Sequence, residues 1–225
     1  SPTDYPWYDS KASIFEVVIE DGVTSVGNHA FHGCSSLESL TIGNNVTSIG
    51  EHAFNSCGSL TSLSIPDSVL TIGSYAFASC TGLTSVTIPN SVISIGEGAF
   101  CECGGLTSVN IGNSVKNIGS EAFADCAELT DVYCYAENVP STGSNAFDGS
   151  YIDYATLHVP AASVEQYKAT APWSNFGTIV PLTDEDAIAE VQAVPVLIQT
   201  QGNSVTVEGA EAGTEIILYG VNGVQ

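Results

Sequence analysis

Apolar positions in this chain recur at an interval too long for a helix or a single strand. From Val23 the sequence reads VTSVGNHAFHGCSSLESLTIGNN, from Val46 VTSIGEHAFNSCGSLTSLSIPDS, from Val69 VLTIGSYAFASCTGLTSVTIPNS and from Val92 VISIGEGAFCECGGLTSVNIGNS. The apolar letters of each copy fall on those of the next, 23 residues on. A fifth copy from Val115 is one residue longer. A degenerate sixth starts at Val139, with TGSNAFDGS followed by TLHVPAAS, and before the first copy IFEVVIEDG places Ile14, Val17 and Ile19 at the phase of Leu37, Leu40 and Ile42.

A fixed period of this length predicts a solenoid, in which a unit too small to bury its own apolar face buries it against its neighbours. Within a unit, Leu60, Leu63 and Ile65, or Leu83, Val86 and Ile88, have the leucine-rich-repeat form Leu-x-x-Leu/Val-x-Ile. It predicts a short strand that adds edge to edge to those of adjacent rungs. The glycine of SIG (Gly50, Gly73, Gly96) marks a tight turn closed to side chains, and the Ala-Phe pair is expected to fill the rung within a turn of helix.

The expected organisation is an N-terminal extension over 1–13, a solenoid over 14–182, a linker over 183–195 and part of a small antiparallel β-domain over 196–225. Residues 157–182 read as a cap. Ser163 and Gln166 match a capping box for a short helix, and Trp173, Phe176 and Ile179 suit the last open rung. In the final segment, VTVEG and TEIILYG look like strands flanking a turn-rich EGAEAG. So small a piece needs a partner surface, or pairing with a second copy through these strands.

The run LTSVTIPNSVISIGEGAF resembles the BspA-like leucine-rich repeat of surface proteins from anaerobic bacteria of gut and mouth, and the resemblance spans roughly residues 14 to 182. That family tends to close its array with a segment like LHVPAASVEQYKATAPWSNFGTIVPL. The resemblance implies adhesion to host matrix proteins or to other bacteria, and a secreted or cell-surface location after signal-peptide removal.

Composition narrows the partners. The chain has 225 residues, 3 Lys+Arg and 25 Asp+Glu, a formal charge of -22, so it repels phosphate backbones and anionic headgroups. Nucleic acid and direct membrane insertion are not expected. The start, SPTDYPWYDS, has neither Met nor a basic region and reads as a mature or trimmed product. No G-x-S-x-G, P-loop, H-E-x-x-H or dinucleotide fingerprint occurs, there is no Arg, and a repeat array offers a broad surface rather than one deep pocket. The expectation is a binding protein, not an enzyme, with no cofactor.

Cys34, Cys57, Cys80, Cys103 and Cys126 share one phase, three residues after each Phe. Neighbouring strands lie about 4.8 Å apart whereas a disulfide prefers roughly 3.8 Å between Cβ atoms, so the column is expected to be buried free thiols. Cys134 takes a core phase, and Cys101 lies off the column, where a thiol is expected to be accessible. His29 and His52 also share a phase, with Glu51 beside them and His32 nearby. The column continues with Tyr75, Gly98 and Glu121, so no third ligand comes from the next rung and no metal site is expected.

Alternation along the strands sends two columns outward. One runs Glu16, Ser39, Ser62, Ser85, Ser108, Asp131, Thr156, the other Val18, Thr41, Ser64, Thr87, Asn110, Tyr133, His158. Their middle is a Ser/Thr carpet. Asp131, Tyr133, Tyr135, Tyr151, Tyr154 and His158 gather towards the carboxy-terminal end and form the candidate ligand-binding patch, since aromatics beside polar groups suit interfaces. The partner class is a protein or glycan macromolecule. Two other readings stand beside the adhesin: a structural spacer presenting another module, and a glycan-binding module.

Overall fold

The structure is a computed structural model, and it describes residues 5–143, 145–183, 186, 197–201 and 204–208. The chain divides into two compact units, Ser1–Leu182 and Thr183–Gln225.

The first unit is the solenoid. Most rungs contribute a four-residue strand to one face and a two-residue strand to another, and every pairing between rungs is parallel. The longer strands are Glu16–Ile19, Ser39–Ile42, Ser85–Ile88, Ser108–Ile111, Asp131–Cys134, Thr156–Val159 and Thr178–Pro181. The register follows the repeat, with Ser85 opposite Ser108 and Ser108 opposite Asp131. The sheet is interrupted at the second rung, where Leu63 is half-buried and only Ser64 bridges to Thr87. Val86, Val109 and Val132 fill the equivalent position in the continuous part and are buried, as suits β-branched side chains on a pleated sheet.

The shorter strands, Ser25–Val26, Ser48–Ile49, Thr71–Ile72, Ser94–Ile95, Asn117–Ile118 and Ser141–Thr142, form a second parallel sheet where the repeat pattern predicts only a turn. Immediately after these strands, the glycine of SIG packs on the same turn of the rung before. A Cβ built on Gly73 would lie 2.7 Å from the Gly50 carbonyl carbon, so close approach between rungs is what requires glycine here.

The Ala-Phe segment does not form the expected turn of helix. Its amides alternate: Ala53 and Asn55 bond back to carbonyls three residues earlier, while His52, Phe54 and Ser56 bond forward to Ser74, Ala76 and Ala78 of the next rung. Left-handed residues produce this alternation, with φ of 52° at His52 and 62° at Ser56, and the same two positions repeat along the array (Tyr75 and Ser79, Glu121 and Asp125). They interrupt right-handed winding at a cost of roughly 1–2 kcal/mol each, offset by backbone bonds that tie rung to rung.

Inside, the phenylalanines stack into a spine. Ring centroids are 5.3 Å apart for Phe54 and Phe77, 5.4 Å for Phe77 and Phe100 and 5.5 Å for Phe100 and Phe123. Trp7 extends the spine at the amino-terminal end, 5.4 Å from Phe31, with its indole N–H donating to the Ala30 carbonyl. At the other end Trp173 and Phe176 meet Phe147 edge-on, and the Trp173 indole donates to the Pro140 carbonyl.

Ser163 does precede a short helix, Val164–Lys168, but it makes no capping bond. Its hydroxyl donates instead to the Glu137 carbonyl at 2.6 Å, because the helix is pulled against the body of the solenoid by buried Tyr167, whose hydroxyl donates to the Ala136 carbonyl.

In the second unit, Leu197–Gln201 and Ser204–Glu208 pair antiparallel, Gln199 opposite Thr206. VTVEG thus pairs with the preceding run, a strand not read from the sequence. Most of the expected linker and all of TEIILYG lie outside the described residues.

Candidate functional site

The candidate site lies where the long strands end towards the cap. Asp131 and Tyr133 alternate outward on one strand while Val132 and Cys134 point inward and are buried. The next strand, Thr156–Val159, pairs with it in parallel, setting Tyr133 directly opposite His158. Their rings stack at 4.2 Å with planes 13° apart. Asp131, one step away diagonally, places Oδ1 3.1 Å from His158 Nε2. The imidazole is therefore held on one side by a ring face and at one edge by a carboxylate.

Tyr135 continues the outward alternation past the strand end, its amide bonded to the Ile111 carbonyl and its side chain half-buried. Tyr151 and Tyr154 sit elsewhere, on the 3-10 turn leading into the Thr156–Val159 strand. They are 61 % and 86 % exposed, and Tyr151 borders a separate groove with Asn145, Asp148, Pro172 and Asn175. The six sequence candidates thus fall into a linked trio of Asp131, Tyr133 and His158, an adjoining Tyr135, and two tyrosines on the neighbouring turn. The trio could be found in the sequence only by aligning rungs, since Asp131 and His158 are 27 residues apart.

Towards the middle of the array the same face is plain. Thr87, Ser85, Ser64 and Ser62 are exposed, and Asn110 donates to the Thr87 hydroxyl at 3.3 Å.

The cysteine column is buried and unbridged, and from Cys57 onward the thiols donate to the phenylalanine carbonyl of the preceding rung, as from Cys103 to Phe77 at 3.2 Å and from Cys126 to Phe100 at 3.3 Å. In the sixth copy Ser150 takes over, its hydroxyl donating to the Phe123 carbonyl at 2.6 Å. Burial pushes the Cys57 thiol up to about 12 and the inner thiols further in the same direction. Cys101 is the one cysteine not fully buried. Partial burial and nearby Glu102, Asp125 and Glu121 raise it to about 11, so it is no activated nucleophile.

A second cluster lies near the other end of the array. His29 and His52 occupy the left-handed position of adjacent rungs and stack at 4.8 Å, and Tyr75 continues the stack at 5.0 Å. His32, three residues after His29, stands edge-on to both. The third imidazole beside the pair is thus the nearby His32, from the same turn and not from the next rung. His32 is held below the usual histidine range by burial first, then by Lys11 and the two other imidazoles.

These features define a leucine-rich-repeat solenoid with stacked parallel strands and an aromatic spine. The profile of the BspA type leucine rich repeat region matches residues 4–130 and 51–169, with six copies, and the chain belongs to that family. No curated protein matches the chain. Among solved structures, the leucine rich repeat protein of T. pallidum is similar at 25 % identity and TM-score 0.53, over 80 % of this chain and 85 % of that one. The pneumococcal vaccine antigen PcpA shares the fold at 18 % identity and TM-score 0.61, over 75 % of this chain and 42 % of its own length.

Proposed function

We propose that this protein is a secreted or surface-anchored recognition protein that binds a macromolecule through the exposed face of its long-strand sheet, as an adhesin does. The observation that carries the reading is the trio Asp131, Tyr133 and His158, a group of rings and charge at one end of an otherwise Ser/Thr face. Membership of the BspA-type family supports a binding role over a catalytic one and an extracellular setting. Tyr133 and His158 stack face to face rather than lying side by side, so they offer edges and hydrogen-bonding atoms more than a flat ring surface. That favours a protein partner over a glycan platform. The spacer reading keeps one argument, the uniform Ser/Thr carpet between the ends.

The test is binding of the purified chain to immobilised matrix proteins and glycans at low and high salt, with a Tyr133→Ala/Tyr135→Ala variant and a His158→Ala variant alongside. The expected outcome is a salt-tolerant protein hit, weakened at least tenfold in both variants while their melting temperatures stay within a few degrees. Binding that survives both variants rules out this face, and silence across the array favours the spacer.

A further inference from the structure

We propose that His29, His32 and His52 form a three-imidazole site for a first-row transition metal ion of the Zn(II) class. Each residue can bring one ring nitrogen to within 4.8 Å of those from the other two. Tetrahedral zinc with nitrogen ligands at about 2.0–2.1 Å needs ligands about 3.3 Å from one another, so the rings of His29 and His52, stacked with planes 7° apart, must turn out of their stack for both in-plane lone pairs to meet one ion. All three side chains are partly exposed, so the ion has a way in and a coordination position is left for water or a partner's side chain.

Two features set this cluster apart from a chance meeting of surface imidazoles. His32 Nδ1 is buried with no hydrogen-bond partner, an orphaned polar atom that an ion would satisfy. The backbone also fixes His29 and His52 in advance, with their amides bonded to the Glu51 and Ser74 carbonyls in the left-handed conformation, at 2.7 and 2.9 Å. Around the ring of His52 stand Asn55, 3.3 Å from Nδ1, and the Glu51 carboxylate, 3.7 Å from Nε2, which adds negative charge beside the cation. Lys11 opposes it. Its Nζ lies 4.4 Å from the Tyr8 ring centroid, and it lines the same small cleft as His29 and His32. Neutral imidazoles with a nearby carboxylate suit borderline ions such as Zn(II), Ni(II) or Cu(II) over calcium or magnesium.

The experiment is calorimetric titration of the full chain with Zn(II) alone at neutral pH, followed by amide and imidazole NMR of the same sample. The expected result is one ion per chain, with shifts centred on His29, His32 and His52. Binding weakens roughly tenfold or more in each of His29→Ala, His32→Gln and His52→Asn, and Lys11→Ala tightens it. The NMR readout stands whether or not any variant folds. The proposal is overturned by no binding, by shifts centred on Cys101 or on scattered carboxylates, or by a folded His32→Gln variant that binds like the parent, which would mark an ordinary exposed histidine pair.

Discussion

At the scale of single residues, the cysteine column shows why one residue type recurs at a position that makes no disulfide. The site demands a small side chain that is apolar enough to be buried and still donates one hydrogen bond to the carbonyl of the previous rung. Ser150 meets the same demand with oxygen, so the chemistry selected is donation, not redox. A pH dependence follows. The folded chain keeps Cys57, Cys80, Cys103 and Cys126 protonated well above the pH at which the unfolded chain loses those protons, because burial raises all four. Their contribution is fully present below about pH 9 and is lost as pH rises, by about 1.4 kcal/mol per pH unit for each thiol. Thermal melts are expected to fall steeply between about pH 9 and 11. Cys103→Ser should fold with a modest loss at neutral pH and a shallower alkaline fall, whereas Cys103→Ala should match it in slope but not restore the bond to Phe77.

Elements in this fold are rungs and caps rather than helices and sheets. A rung's strand edges are satisfied by its neighbours, so the array needs something to close its ends. The carboxy-terminal cap does this with buried Trp173 and Tyr167 and with hydrogen bonds from Trp173, Ser163 and Tyr167 to the carbonyls of Pro140, Glu137 and Ala136, where the fifth copy passes into the sixth. Removing Trp173 leaves a cavity against Phe147 and frees the Pro140 carbonyl, at a cost of about 3–5 kcal/mol. Trp173→Ala is therefore expected to raise amide exchange first in the rungs nearest the cap. Uniform exchange along the whole array would show that the cap is not a local clamp. Of the aromatics that the sequence offered for the last open rung, Trp173 and Phe176 meet Phe147. The role of Ser163 was not legible in the sequence, because a capping-box pattern reports only local spacing and cannot show a carbonyl 26 residues away.

For the whole molecule, cooperativity is set by nearest-neighbour packing, since each rung touches mainly the ones on either side. Phe77 lies in the middle of the spine between Phe54 and Phe100, fully buried. Phe77→Asp places a carboxylate where no partner can solvate it, and more than 4 kcal/mol is the scale of such a loss. The expected outcome, read by circular dichroism and amide exchange, is loss of structure in several rungs on both sides. Loss confined to residues 69–91 would contradict a continuous core. With 3 Lys+Arg against 25 Asp+Glu, the chain's net charge is -22, which disfavours strongly acidic partners at low salt.

The 23-residue period, the inward-facing apolar columns, the buried thiols and the outward Ser/Thr face were fixed by the sequence alone. Each follows from steric and hydrophobic rules that act within one rung and repeat, so reading one copy reads them all. The tertiary structure decided what depends on the distance between rungs or on the path of an irregular turn. Stacking of adjacent rungs put the His158 ring 4.2 Å from that of Tyr133 and beside Asp131. Left-handed backbone at His29 and His52 brought their rings face to face, and the following tight turn swung His32 against them. The same left-handed residues replaced the expected helical turn with bonds between rungs. These are contacts between positions that no local periodicity links, and they carry both the candidate binding face and the proposed metal site.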